Sequence, residues 1–90
     1  MTLVERFAAN LKRERRKAGL SQEAIAERAG IHRTEASQLE RALRLPRLDT
    51  VIKLSGALGV DPAVLLAGMA WKPGEAPSGR FVGRYAVADG

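Results

Sequence analysis

An all-α fold of five short helices, followed by a strand-forming tail, is the class that the 90-residue sequence predicts. Apolar residues recur at helical spacing through successive segments from Leu3 to Leu58. Gly19, Gly30, Gly59 and Gly68 stand where those periodic runs stop, the place where glycine most often ends a helix. Hydrophobic residues make up 46% of the chain and aromatics only 4%, which suits a core of Ala, Leu, Val and Ile and weakens the strand-rich classes.

The first helix is expected to begin at Thr2, where Thr2-x-x-Glu5 has the form of a capping box, and to run to about Ala18. Leu3, Phe7 and Leu11 form its inward stripe. Its second half carries Lys12, Arg13, Arg15, Arg16 and Lys17, five of the fifteen Lys and Arg, near the helix end that favours cations. Ser21 is a good N-cap for a second helix with Ile25, Ala26 and Ala29 inward, and Gly30 ends it. A third helix covers about His32 to Arg41, with Ala36 and Leu39 inward. Glu35 suits a carboxylate at the third position of its first turn, supporting the cap. The second and third helices thus form a helix-turn-helix, and the small Ala26 allows close approach where the two cross.

Pro46 forbids helix across the connector from Ala42 to Arg47, which carries Arg44 and Arg47. Leu48, Val51, Leu54 and Leu58 mark the inner face of a fourth helix ended by Gly59. Asp61-Pro62 is a cap followed by proline at the first helical position, so a short fifth helix runs to about Ala67. Residues 1–70 are read as the domain and residues 71–90 as a C-terminal extension. Lys72 to Gly79 reads as a turn-rich linker, and Arg80 to Val87 as the only strand candidate.

Net charge is +5 with a pI near 10.5, which favours a polyanionic partner. The chain has no cysteine, so disulfides, thiolate metal sites and cysteine nucleophiles are excluded. No leader and no apolar run long enough to span a membrane stands in the sequence, so a soluble, cytoplasmic protein without membrane attachment is expected. With one histidine and no His and carboxylate pair at metal spacing, no catalytic residue, metal or cofactor is expected. His32 reads as a cap or a phosphate neighbour.

Leu20-Ser21-Gln22-Glu23, Ala26, Gly30, Leu39-Glu40-Arg41, Pro46, Leu54 and Ala57-Leu58-Gly59 together resemble the phage-repressor/Cro type of helix-turn-helix domain, also called the XRE type. The resemblance covers Leu20 to Leu66 and implies a lambda-repressor-like five-helix domain. Ala36 departs from the usual Ile or Val, Ala42 from the usual Gly that closes the third helix, and His32 from the usual Ser cap.

The outward side chains of the third helix are of kinds that read bases. Arg33 suits guanine, Gln38 suits adenine, and Thr34 and Ser37 suit a base edge or a thymine methyl. Phosphate contacts are expected from Gln22, Arg41, Arg44 and Arg47. By resemblance, Gln22 also braces the third helix, and Glu40 pairs with an arginine of the first helix, which alignment makes Arg15. Double-stranded DNA is the expected partner and sequence-specific transcriptional regulation, as a repressor on a near-palindromic operator, the expected function. The rivals are an antitoxin that also binds a toxin protein, and a protein-interaction module without DNA binding. A lone strand leaves its backbone groups unpaired, so Arg80 to Val87 is expected to pair with the same strand of a second copy, burying Phe81, Tyr85 and Val87 in a homodimer.

Overall fold

The structure, a computed structural model, describes residues 1–75 and 78–82. Five helices come first: α1 (Leu3–Lys17), α2 (Gln22–Ala29), α3 (Arg33–Glu40), α4 (Leu48–Leu58) and α5 (Pro62–Leu65). Two strands, β1 (Ala70–Pro73) and β2 (Gly79–Val82), follow.

Local chemistry sets the helix starts. At α1 the Glu5 amide donates to Thr2 Oγ1 (3.2 Å) and the Thr2 amide donates to Glu5 Oε1 (2.8 Å), closing the capping box. The Thr2 backbone bond, with the hydroxyl adding to it, holds the Glu5 carboxyl below its ordinary value of 4.5. A depressed acid stabilises when ionised, so this cap acts above the carboxylate range and fades as pH falls through it. Ser21 Oγ accepts from the Ala24 amide (3.0 Å), and Asp61 Oδ1 from the Ala63 amide (2.8 Å) just ahead of Pro62. The start of α3 differs from expectation. The His32 side chain makes no cap bond. Glu35 does not serve the cap either; its carboxylate accepts a long contact of 3.5 Å from Thr50 Oγ1 on α4. With no hydroxyl at the cap there is no reciprocal box for Glu35 to complete, and the hydroxyl packed behind it takes its place.

Four helices end in one pattern. Paired amide bonds run from Gly19 to Arg16 O and Leu20 to Arg15 O, from Gly30 to Glu27 O and Ile31 to Ala26 O, and from Gly59 to Gly56 O and Val60 to Ser55 O. After α3 the same pair runs from Ala42 to Leu39 O (3.2 Å) and Leu43 to Gln38 O (3.0 Å). This double bond needs one left-handed residue, which glycine supplies at φ near 70° in the first three. Ala42 is driven to φ 59° and is the only non-glycine with positive φ among the described residues.

The core comprises Phe7, Leu11, Ile25, Leu39, Val51, Leu54 and Leu65, with the small residues Ala26, Ala29 and Ala36 buried beside them. Asn10 is buried among them; its Nδ2 donates to Leu65 O and Ala67 O, both at 2.9 Å, and so satisfies the carbonyls at the end of α5. One stripe residue is corrected: Leu48 is 76% exposed, because the first residue of α4 projects past the edge of the bundle.

The expected lone strand has its partner in its own chain. β1 and β2 pair antiparallel with Ala70 opposite Val82, Trp71 opposite Phe81, Lys72 opposite Arg80 and Pro73 opposite Gly79. The linker expected from Lys72 to Gly79 is therefore partly strand, and the need for a second copy to satisfy β2 on this side falls away. Pro73 sits at the last position of β1, where its missing N–H is tolerated. The Trp71 and Phe81 rings meet edge to face with centroids 5.0 Å apart. Trp71 also lies over Gly79, where any Cβ would collide with the indole ring. Tyr85 and Val87 lie outside the described residues.

Ala42→Gly should stabilise the domain by about 1 kcal/mol, since it removes the left-handed strain of an alanine. Urea unfolding followed by helical circular dichroism, with unchanged m-value, checks this; an unchanged or lowered midpoint would contradict it. Gly79→Ala should displace the indole and abolish its near-ultraviolet dichroic band, readable because Trp71 is the chain's single tryptophan, while the helical melt stays in place.

Candidate nucleic-acid interface

α3 is held from behind by one polar network. Arg15, in the last turn of α1, donates through Nε to Glu40 Oε2 (2.5 Å) and through Nη2 to Glu40 Oε1 (2.9 Å), a two-pronged guanidinium–carboxylate match. Its Nη1 donates to Leu20 O (2.8 Å) at the α1–α2 turn. Gln22 Nε2, at the start of α2, donates to Glu40 Oε1 (3.2 Å). The Glu40 side chain is 1% exposed and that of Arg15 13%. The Glu40 hydrogen bond pushes the Arg15 pKa up against the opposing effect of burial, so the guanidinium stays charged at every working pH. Side chains from α1 and α2 thus converge on one buried carboxylate of α3, with Arg15 also tied to the α1–α2 turn.

The opposite face of α3 is open. Arg33, Thr34 and Arg41 are exposed and Ser37 and Gln38 half-buried, and with Gln22 these residues line a shallow groove of about 300 Å³. The six side chains expected from the sequence to face DNA on α2 and α3 are therefore neighbours. Arg33 Nη1 lies 3.4 Å from Glu23 Oε2, with both side chains at least two-thirds exposed. Such a pair contributes little and opens readily. Arg44 Nη1 reaches Gln38 Oε1 at 3.5 Å, linking the connector to the α3 face.

Arg44 and Arg47 are exposed and lie on a second, larger groove of about 480 Å³, walled by the connector and α4 on one side and by the α2–α3 turn and the start of α3 on the other. Lys53 joins them there, across the groove from His32 and Glu35 at the start of α3, a cation that motif reading passed over because it lies outside the helix-turn-helix and its connector. Arg47 Nε lies 3.4 Å from Asp49 Oδ1, both well exposed. On α1 the basic run divides. Arg15 faces inward, Arg13 and Lys17 lie 3.1 and 3.8 Å from the buried Glu14 carboxylate, and Lys12 and Arg16 have no ion-pair partner among the described residues. Among those residues no cluster of His, Asp or Glu is arranged to hold a metal, and no helix is long and apolar enough to cross a membrane.

Comparison with known proteins gives concordant findings. The family model HTH_3, described as helix-turn-helix, matches residues 11–65. Control protein C.BamHI of Bacillus amyloliquefaciens is 46% identical over 50 residues, spanning 56% of this chain and 62% of its own length. The HTH-type transcriptional regulator y4dJ of Sinorhizobium fredii, itself uncharacterized, is 36% identical over 66 residues, or 73% of this chain and 86% of that one. The crystal structure of the restriction-modification controller protein C.AhdI from Aeromonas hydrophila superposes with a TM-score of 0.67 at 34% identity, covering 69% of this chain and 94% of that one.

Arg15→Ala should destabilise the fold by roughly 3–5 kcal/mol, because it strands the Glu40 carboxylate in the interior. Arg15→Met combined with Glu40→Leu should recover most of that loss. Denaturant melts of the three proteins check both expectations, and a single mutant that melts like the parent would show that water, not Arg15, satisfies Glu40.

Proposed function

The chain belongs to the HTH_3 helix-turn-helix family, and from that premise we propose that it is a sequence-specific DNA-binding transcriptional regulator that reads bases through α3. The observation that carries the proposal is the shared groove of Gln22, Arg33, Thr34, Ser37, Gln38 and Arg41, backed by a buried network that fixes α3 in place. Two of these side chains have the geometry for paired bonds to a base edge: Arg33 to guanine O6 and N7, Gln38 to adenine N6 and N7. Thr34 and Ser37 lie between them. Gln22, Arg41, Arg44 and Arg47 take the phosphates on either side and set the register.

The rival reading, an interaction module that avoids DNA, leans on the acidic residues of α3. Glu40 is buried against Arg15, and Glu35 is turned to Thr50, so neither charge stands unpartnered on the reading face. A net charge of +5 points the same way.

Arg33→Ala and Gln38→Ala should each cost about 1–3 kcal/mol at the preferred site while leaving random-sequence binding nearly unchanged. Arg44→Ala and Arg47→Ala should weaken binding to every duplex and shrink the salt slope by roughly one unit per phosphate contact removed. Titrations of preferred and random duplexes across a salt series separate the two behaviours. Equal losses on both duplexes for Arg33→Ala and Gln38→Ala would overturn the assignment of α3 as reader.

A further inference from the structure

The reading groove does not end at the edge of α3. Arg41 borders both that groove and a depression of about 410 Å³ between α1 and the C-terminal end of α3, to which α1 contributes Ala8, Ala9 and Lys12. Ala9 and Lys12 in turn border a third depression, of about 620 Å³, along the outer face of α1, with Arg16 one turn beyond Lys12. The three share residues, so Arg41, Lys12 and Arg16 form one basic path that leaves the groove and runs along α1. The carboxylates beside it are already engaged: Glu5 by the Thr2 cap, Glu40 by Arg15 and Gln22, and Glu14 by Arg13 and Lys17. Lys12 and Arg16 have no acidic partner among the described residues.

We infer that Lys12 and Arg16 hold the phosphate backbone of the duplex outside the site that α3 reads, so that the domain grips DNA on two faces joined at Arg41. Two features favour a duplex flank over an acidic protein as the occupant. The first is continuity: a polyanion held at Arg41 already stands at the start of the path. The second is the absence of an anchor. Protein interfaces centre on aromatic or large apolar side chains, whereas the outer face of α1 offers only Ala9 between its cations. A methyl group there leaves room for a sugar-phosphate strand to lie close to the helix. The inference rests on the DNA-binding reading and extends it: phosphate contacts carry no sequence information, so Lys12 and Arg16 lengthen the stretch of DNA that is held without changing which site is preferred.

Titrations of two labelled duplexes across a salt series test the inference: the preferred site alone, and the same site with one helical turn, about 10 bp, added at either end. The parent should bind the longer duplex more tightly and with the steeper salt slope. Lys12→Ala combined with Arg16→Ala should match the parent on the short duplex and lose the gain on the long one, its slope there falling by roughly one unit per phosphate contact removed. Arg28→Ala removes an exposed charge from the last turn of α2, off the path, and should leave the gain intact. Alanine is the better helix former at all three positions, so the thermal melts should not fall below the parent's. Equal losses on both duplexes in the double mutant, a parent indifferent to duplex length, or an Arg28→Ala protein that behaves like the double mutant would overturn the inference and leave α3 as the reader. A parent that binds neither duplex would overturn the DNA-binding reading itself, and the inference with it.

Discussion

The carboxylate of Glu40 decides where the recognition helix lies. A helix of eight residues is not stable alone, and α3 gains no side-chain cap from His32 and strains Ala42 at its far end. Its position therefore depends on what meets its inner side. Leu39 and Ala36 supply burial but little direction, whereas two guanidinium bonds and one amide bond to Glu40 fix both distance and angle. Gln22 stands in that network and on the rim of the open groove at once, so it ties the start of α2 to the face of α3. Such a buried pair adds little net stability compared with apolar residues of the same size. What it contributes is geometry, and geometry is what base reading requires.

The charges are sorted by depth. Arg15 is committed to the interior, Arg13 and Lys17 are drawn toward Glu14, and Arg33, Arg41, Arg44 and Arg47 are left outside with at most weak partners. The contacts of 3.4–3.5 Å from Arg33 to Glu23 and from Arg44 to Gln38 are long and exposed. Contacts of this kind contribute little and break at small cost.

Much of this was legible in the chain. Thr2 with Glu5, Ser21, Asp61 with Pro62 and the helix-ending glycines mark boundaries through hydrogen bonds made within a few residues, which local sequence determines. Arg15 and Glu40, 25 residues apart, were legible only through family resemblance, since no local rule joins them. Asn10 was overlooked although it falls on the stripe between Phe7 and Leu11, where a polar residue that disfavours helix is itself a sign of a distant acceptor. The hairpin was half seen: Phe81 and its neighbours read as strand, but Pro73 and Gly74 made the second half of Ala70–Pro73, from Lys72 on, look like linker. The pairing of Trp71 with Phe81, and the need for Gly79 beneath the indole, are facts of packing that neither segment carries alone.

If α3 reads bases as its outer face suggests, a single measurement bears on it most directly: repeated selection of bound duplexes from a random-sequence pool by the parent protein. The account predicts convergence on one site whose half-sites carry a guanine and an adenine spaced for Arg33 and Gln38, and a shift of preference at the adenine alone when Gln38 is replaced by Ala. A pool that stays random after repeated rounds, or a recovered site indifferent to both substitutions, would contradict it.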